Sequence, residues 1–186
     1  AWGRATSGKA GHGDTPQLDH HKCAGEVVAT QKETGLAHMR GHRGRFNPSH
    51  QYVNPQITAG TFNILQMDVQ TYFFRRTNTN ALGQVRSWTD HLLWHHAAHT
   101  IDLFQYQAGE NISDCYAVQG PIHKELNIAM EMGIVAKTPS GQMLTLSLSI
   151  NNDGPNGSVL LYTCRNCTYK AFYDHPAERQ DSKVSA

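Results

Sequence analysis

Apolar positions are unevenly distributed along this chain. Residues 1–24 are rich in Gly, Ser, Thr, His and Lys, show no apolar period, and would not build a core by themselves. From Gly25 onward the pattern changes. Glu26–Glu33 suits a short helix stopped at Gly35, and Leu36–Met39 suits a short strand. Asn47-Pro48 is a helix start, with Asn as cap and Pro in the first turn; that helix should reach Gly60, bent or interrupted at Pro55. Thr61–Phe74 is long and β-rich and predicts a strand. Arg75–Arg86 follows as a polar loop with Asn78, Asn80 and Gly83 as turn formers. Ser87-Trp88-Thr89-Asp90 is a capping-box pattern that opens a helix to about Gln107, with Gly109 as its stop. The remainder reads as strands at Ile112–Val118, Ala129–Lys137, Met143–Asn151 and Val159–Tyr173. Turns at Pro139-Ser140-Gly141 and Asp153–Gly157 would join the last three into an antiparallel meander. From Asp174 the chain is a charged, unpatterned tail. The expected class is α+β: a mostly antiparallel sheet with helices packed on one face.

Composition narrows the partners. The 186 residues suffice for one domain, and the formal net charge is +1. Near-neutrality argues against nucleic acid or an anionic membrane surface, either of which favours a basic excess. No apolar stretch approaches the roughly 20 residues that span a bilayer, and Ala1-Trp2-Gly3-Arg4 carries no apolar signal. The cytoplasm is therefore the expected compartment. Cys23, Cys115, Cys164 and Cys167 are then expected as thiols. Cys164-Arg165-Asn166-Cys167 is a lone Cys-x-x-Cys in a β context, read as a structural turn.

Histidine is the unusual residue, with 12 copies, and His91, His95, His96 and His99 fall close together. On an ideal helix, at about 100° per residue, His91, His95 and His99 lie at roughly 0°, 40° and 80°, and Asp102 returns to about 20°. Three imidazoles and a carboxylate then form one stripe beside the apolar sector of Trp94, Ala97, Ala98, Ile101 and Phe104, while His96 points elsewhere. Three readings remain open. The stripe is a locally hydrogen-bonded polar edge; or a metal site, since His at i and i+4 is ligand spacing although no second cluster supports it; or an acid–base site in which the carboxylate orients one ring. Arg75 and Arg76, at the end of the long strand, are either a clamp for a substrate carboxylate or a solvated strand end, and Arg45 has the same ambiguity. No Gly-x-Gly-x-x-Gly or other phosphate-cradling loop is present.

Met67-Asp-Val-Gln-Thr-Tyr-Phe-Phe-Arg-Arg-Thr-Asn78 and Ser87-Trp-Thr-Asp-His-Leu-Leu-Trp-His-His-Ala-Ala-His-Thr-Ile-Asp-Leu-Phe104 resemble the glucose–fructose oxidoreductase / inositol dehydrogenase family. Gly41-His42, Arg45-Phe-Asn-Pro-Ser-His50 and Asn151-Asn-Asp-Gly-Pro155 fit the same resemblance, which runs from about Gly25 to Tyr173. It implies a Rossmann domain followed by an α+β domain. On that scheme, residues 25–50 are a remnant of the Rossmann end, 51–173 the substrate and oligomerisation domain, 174–186 a tail, and 1–24 an unmatched segment. It further implies that NADP takes hydride from the cyclic hemiacetal of a carboxylated semialdehyde, a step of protocatechuate catabolism that yields a pyrone dicarboxylate. The family's Asp-x-x-x-His pair falls on His95 and His99, with His95 replacing the acid. His99 is the implied general base, with His95 and Asp102 beside it. Arg75, Arg76 and His91 are the implied substrate contacts. The implied assembly is a homodimer through the sheet face, with no resident metal. The glycine fingerprint and the family's Glu-Lys-Pro lysine are not found in residues 1–24, so the expectation is a truncated, inactive half. The rival expectations are a non-catalytic association domain and a metal-dependent enzyme on the histidine helix.

Overall fold

The computed structural model describes residues 20–37, 41–75, 77, 79, 83–84, 92–153, 156–174 and 184–185. The chain divides into two units, 1–41 with 79–90 and 42–78 with 91–186. The first unit contains helix α1 (His20–Thr34). It starts six residues before the expected Glu26, inside the stretch without apolar period. Its end is as expected: Gly35 adopts φ 65° and donates its N–H to the Gln31 carbonyl. Leu36 and Ala37 are not in a strand, and residues 38–40 lie outside the described set.

In the second unit a 3₁₀ turn (Arg43–Phe46) leads into α2 (Pro48–Thr58). The cap is the one the sequence calls for, because the Asn47 side chain accepts the Ser49 N–H at 3.0 Å and Pro48 occupies the first turn. Pro55 does not interrupt the helix. Strand β1 (Ile64–Tyr72) follows, then a π-helical turn (Leu93–Ala97) that continues into α3 (Ala98–Ala108). The remaining strands are β2 (Asp114–Gln119), β3 (Glu131–Lys137), β4 (Met143–Ser149), β5 (Gly157–Cys164), β6 (Thr168–Asp174) and the two-residue β7 (Val184–Ser185).

These strands form one seven-stranded sheet in the order β2-β3-β4-β1-β5-β6-β7. The fold class is α+β. All pairings are antiparallel except β1 with β4, where Val69 lies beside Leu146. The expected meander is therefore corrected: β3 and β4 form a hairpin, but β1 is inserted between β4 and β5. Seven residues separate Ser149 from Gly157, enough to step over one strand, a distance of about 10 Å. The stretch read as a single strand from Val159 to Tyr173 is the hairpin β5–β6, turning at Arg165-Asn166, where the Cys164 N–H donates to the Cys167 carbonyl at 2.9 Å. The tail is corrected as well, since Val184 and Ser185 pair with Tyr169 and Thr168.

Period-2 alternation sends one face of each central strand inward. Met67 and Val69, Ile134 and Ala136, Leu144, Leu146 and Leu148, Leu160 and Tyr162, and Tyr169 and Ala171 are buried. They share one core cluster with Val53 of α2, Leu92 and Ala97 around the π turn, and Leu103 and Phe104 of α3. Within the second unit, α2, the π turn and α3 all pack on this face.

Candidate active site

The π turn changes which side chains share a face. Its i→i+5 bonding breaks the 100° advance on which the histidine stripe was projected. Trp94, expected in the apolar sector, is 50% exposed, whereas Leu92 and Ala97 are fully buried. His96, expected to point away from the stripe, packs against Phe73, the residue after β1, with ring centroids 4.6 Å apart. The described side chains therefore do not show the continuous stripe of three imidazoles. His91, Arg76 and the Ser87–Asp90 capping box lie outside the described residues, as does the side chain of His95. The end of the helix is as expected, with Gly109 at φ 74° and its N–H on the Gln105 carbonyl.

His99 and Asp102 are one turn apart on α3, at its edge. His99 is exposed and Asp102 is partly buried. Asp102 does not stand free to orient a histidine of its own helix. Arg45, from the 3₁₀ turn, donates to both of its oxygens, from Nε to Oδ2 at 2.7 Å and from Nη2 to Oδ1 at 2.5 Å. This is the bidentate geometry that suits guanidinium and carboxylate. The hydrogen bonds from Arg45 to Asp102 hold the guanidinium above its ordinary value, and burial opposes that only in part. Arg45 also lies over the Tyr106 ring at 4.7 Å, and the Tyr106 hydroxyl accepts from Asn54 of α2 at 3.2 Å. Arg45 is thus neither a solvated end nor an open clamp.

His42 completes the group. Its Nε2 is 3.9 Å from Asp102 Oδ1, and its ring meets that of His99 edge to face at 5.6 Å. The cluster is His42, Arg45, His99, Asp102 and Tyr106. Sequence reasoning missed His42 and Tyr106 as site residues. The available signal was the Gly41-His42…Arg45 segment, but no local period links it to a helix 57 residues away. Arg75 is 7% exposed, and its backbone N–H donates to the Ile150 carbonyl at 2.8 Å, so it is not a solvated strand end. His50, elsewhere on α2, is buried and bonded through Nδ1 to the Tyr162 hydroxyl at 2.8 Å; burial pushes its pKa down to about 4.

Among the described residues no group of three or more His, Cys, Asp or Glu side chains is placed to hold a metal. No described helix is long and apolar enough to cross a membrane. A dinucleotide's phosphates bind where a glycine turn leaves a strand and opens a helix. Neither α2 nor α3 starts in that way, and the residues ahead of α1 are outside the described set. The described residues therefore do not fit the phosphates of a nicotinamide dinucleotide. What the cluster can do is present an imidazole at a solvent-accessible edge, backed by a neutralised ion pair.

Residues 48–186 match the family model described as bacterial oxidoreductases, C-terminal. The chain is 58% identical over 168 residues to a 4-carboxy-2-hydroxymuconate-6-semialdehyde dehydrogenase of Sphingobium sp. (strain NBRC 103272 / SYK-6), covering 90% of this chain and 53% of that protein. The chain thus spans about half the length of the curated relative it matches. Among solved structures, the WlbA dehydrogenase of Bordetella pertussis, in complex with NADH and UDP-GlcNAcA, is similar with a TM-score of 0.75 at 15% identity, over 92% of this chain and 51% of that one. The scyllo-inositol dehydrogenase of Lactobacillus casei, with bound NAD(H) and scyllo-inositol, is similar with a TM-score of 0.66 at 13% identity, over 83% and 47%. These two likenesses concern the fold alone.

Proposed function

The chain belongs to the bacterial oxidoreductase C-terminal family, of the glucose–fructose oxidoreductase and inositol dehydrogenase type, and from that premise we propose that it is the substrate domain of an NADP-dependent dehydrogenase. The proposed reaction oxidises the cyclic hemiacetal of 4-carboxy-2-hydroxymuconate-6-semialdehyde to 2-pyrone-4,6-dicarboxylate, within protocatechuate catabolism in the cytoplasm. The observation that carries this reading is the 58% identity over 90% of the chain.

NADP is proposed as the hydride acceptor of the complete enzyme, with the residues of this chain acting on the substrate side. Oxidation of a hemiacetal releases the hydroxyl proton, and a neutral imidazole within hydrogen-bond reach is suited to take it. His99 is the proposed acceptor because it is exposed at the helix edge while Asp102 behind it is held by Arg45. His95, in the place of the family's acid, is proposed to belong with His99 to the catalytic group, and Arg75, Arg76 and His91 are proposed to contact a substrate that bears carboxylates.

Isothermal titration of the full chain with 2-pyrone-4,6-dicarboxylate tests the reading. Saturable binding is expected, at least tenfold tighter than that of a monocarboxylate pyrone. A folded chain that shows no binding overturns it. In a complete enzyme that joins this core to a dinucleotide-binding domain, His99→Ala should lower kcat by about 100-fold, the lower range for loss of a general base, with little effect on cofactor affinity. Equal loss in both would contradict the role of His99.

A further inference from the structure

His42 has surroundings that the proposed chemistry leaves unused. Its Nε2 faces Oδ1 of Asp102 at 3.9 Å, and that carboxylate is immobilised by two hydrogen bonds from Arg45. Its ring also meets the His99 ring nearly at right angles, with interplanar angle 76° and centroids 5.6 Å apart. Its Nδ1 is shut off from solvent and has no hydrogen-bond partner among the described residues.

A neutral imidazole carries one N–H and one lone pair. Placing the hydrogen on Nδ1 would bury an unpaired donor and turn a lone pair toward a carboxylate. Placing it on Nε2 turns the donor toward the negative charge. The surroundings therefore favour the Nε2–H tautomer.

We propose that His42 is a positioning residue for His99: the Arg45–Asp102 pair fixes the ring and tautomer of His42, and the fixed ring sets the orientation and titration of His99. The proposal rests on the reading of His99 as proton acceptor. It adds a chain of contact from Arg45 and His42, in the segment ahead of α2, to Asp102 and the exposed His99 imidazole on α3. The titratable or charged groups placed against this contact include His42, Arg45, Asp102 and Tyr106, and His96 lies three positions before His99 on the continuous helix. Arg45 and Asp102 neutralise each other, and the two imidazoles lie in edge-to-face contact. Two cationic rings at this spacing repel, and in water-like surroundings the repulsion corresponds to about half a pH unit.

The test is an NMR pH titration of the full chain without substrate, with the His99 signal identified by its loss in His99→Gln. In His42→Gln a group able to carry positive charge is gone, so the His99 midpoint should rise, by up to about half a pH unit. In Asp102→Asn the negative charge is lost and Arg45 is left uncompensated, so the midpoint should fall. The nitrogen shifts of His42 should also lose the Nε2–H signature in that variant. The buried His50 signal reports that each variant is folded, and if His42→Gln does not fold, Asp102→Asn carries the test alone. A His99 midpoint unmoved to within about 0.1 pH unit in a folded variant overturns the proposal, because a passive packing role would leave titration untouched. The two possible failures are separable. An unmoved titration overturns the role of His42 even where His99→Ala abolishes turnover. Full turnover in His99→Ala overturns the proton-acceptor reading even where the titration moves.

Discussion

His50 and His99 are the same side chain in opposite surroundings, and the difference decides what each does. His99 sits at an exposed edge beside a second imidazole, where proton exchange with a ligand is feasible. His50 is 1% exposed, and desolvation pushes its pKa down to about 4 from an ordinary 6.5. At pH 7 His50 is neutral in the folded chain and mostly neutral in the unfolded chain, so its contribution to pH dependence there is small. Below pH 6.5 the unfolded chain binds a proton at this position that the folded chain refuses. Stability therefore falls as pH drops from 6.5 toward 4, and the full loss from this one residue is about 3 kcal/mol. Urea denaturation at pH 7 and at pH 4.5 measures it. The difference between the two pH values should shrink in His50→Gln, although that variant is less stable at both. An unchanged difference would mean that carboxylates elsewhere, not His50, set the acid sensitivity.

Elements were legible where their signals are local. The start of α2 was readable because Asn-Pro is a cap and a first-turn residue in sequence, and the Asn47 side chain does accept the Ser49 N–H. Removing that acceptor in Asn47→Ala should cost about 1 kcal/mol, read as a lowered urea midpoint with unchanged slope. No change would show that the Pro48 start is held by tertiary packing alone. The ends at Gly35 and Gly109 were readable for a similar reason, since both adopt a left-handed conformation that glycine takes without strain. The π turn was not legible, because Leu93–Ala97 has the composition of an ordinary helix and its change of bonding depends on packing. That one turn moved Trp94 out of the expected core and His96 onto Phe73. The position of β1 was hidden for another reason. Its alternation shows a strand with one buried face, but not which strands flank it, and short turns suggested that β4 and β5 were partners. In the site, His99 and Asp102 stood out through helical spacing, whereas their contacts with His42 and Arg45 are long-range and left no pattern to read.

At the scale of the second unit, α2, α3 and the π turn all cover one face of the sheet, and the other face is open among the described residues of that unit. Tyr116, Val118 and Val135 are 73%, 59% and 45% exposed, and the register places Tyr116 directly beside Val135. The next strands continue this face with Thr145 and Asp68, so the surface mixes apolar and polar side chains. An aromatic ring and two branched side chains exposed together, as Tyr116, Val118 and Val135 are, suit the apolar centre of a subunit interface. This supports the proposal of a homodimer formed through the open face, and it also favours a second reading of the chain as an association domain. An isologous interface presents the same patch twice, so one substitution introduces two changes per dimer. Val135→Lys together with Tyr116→Lys would place four cations in a contact that has lost its apolar centre. Light scattering coupled to size exclusion should find a dimer for the native chain and a monomer for the double variant, with the fold retained because both positions are exposed. A native chain that is monomeric at tens of micromolar would remove the dimer proposal and the association reading together, leaving pyrone binding as the remaining support for function. A dimer that binds no pyrone would point the other way, because the open face would then be the part of this chain that acts.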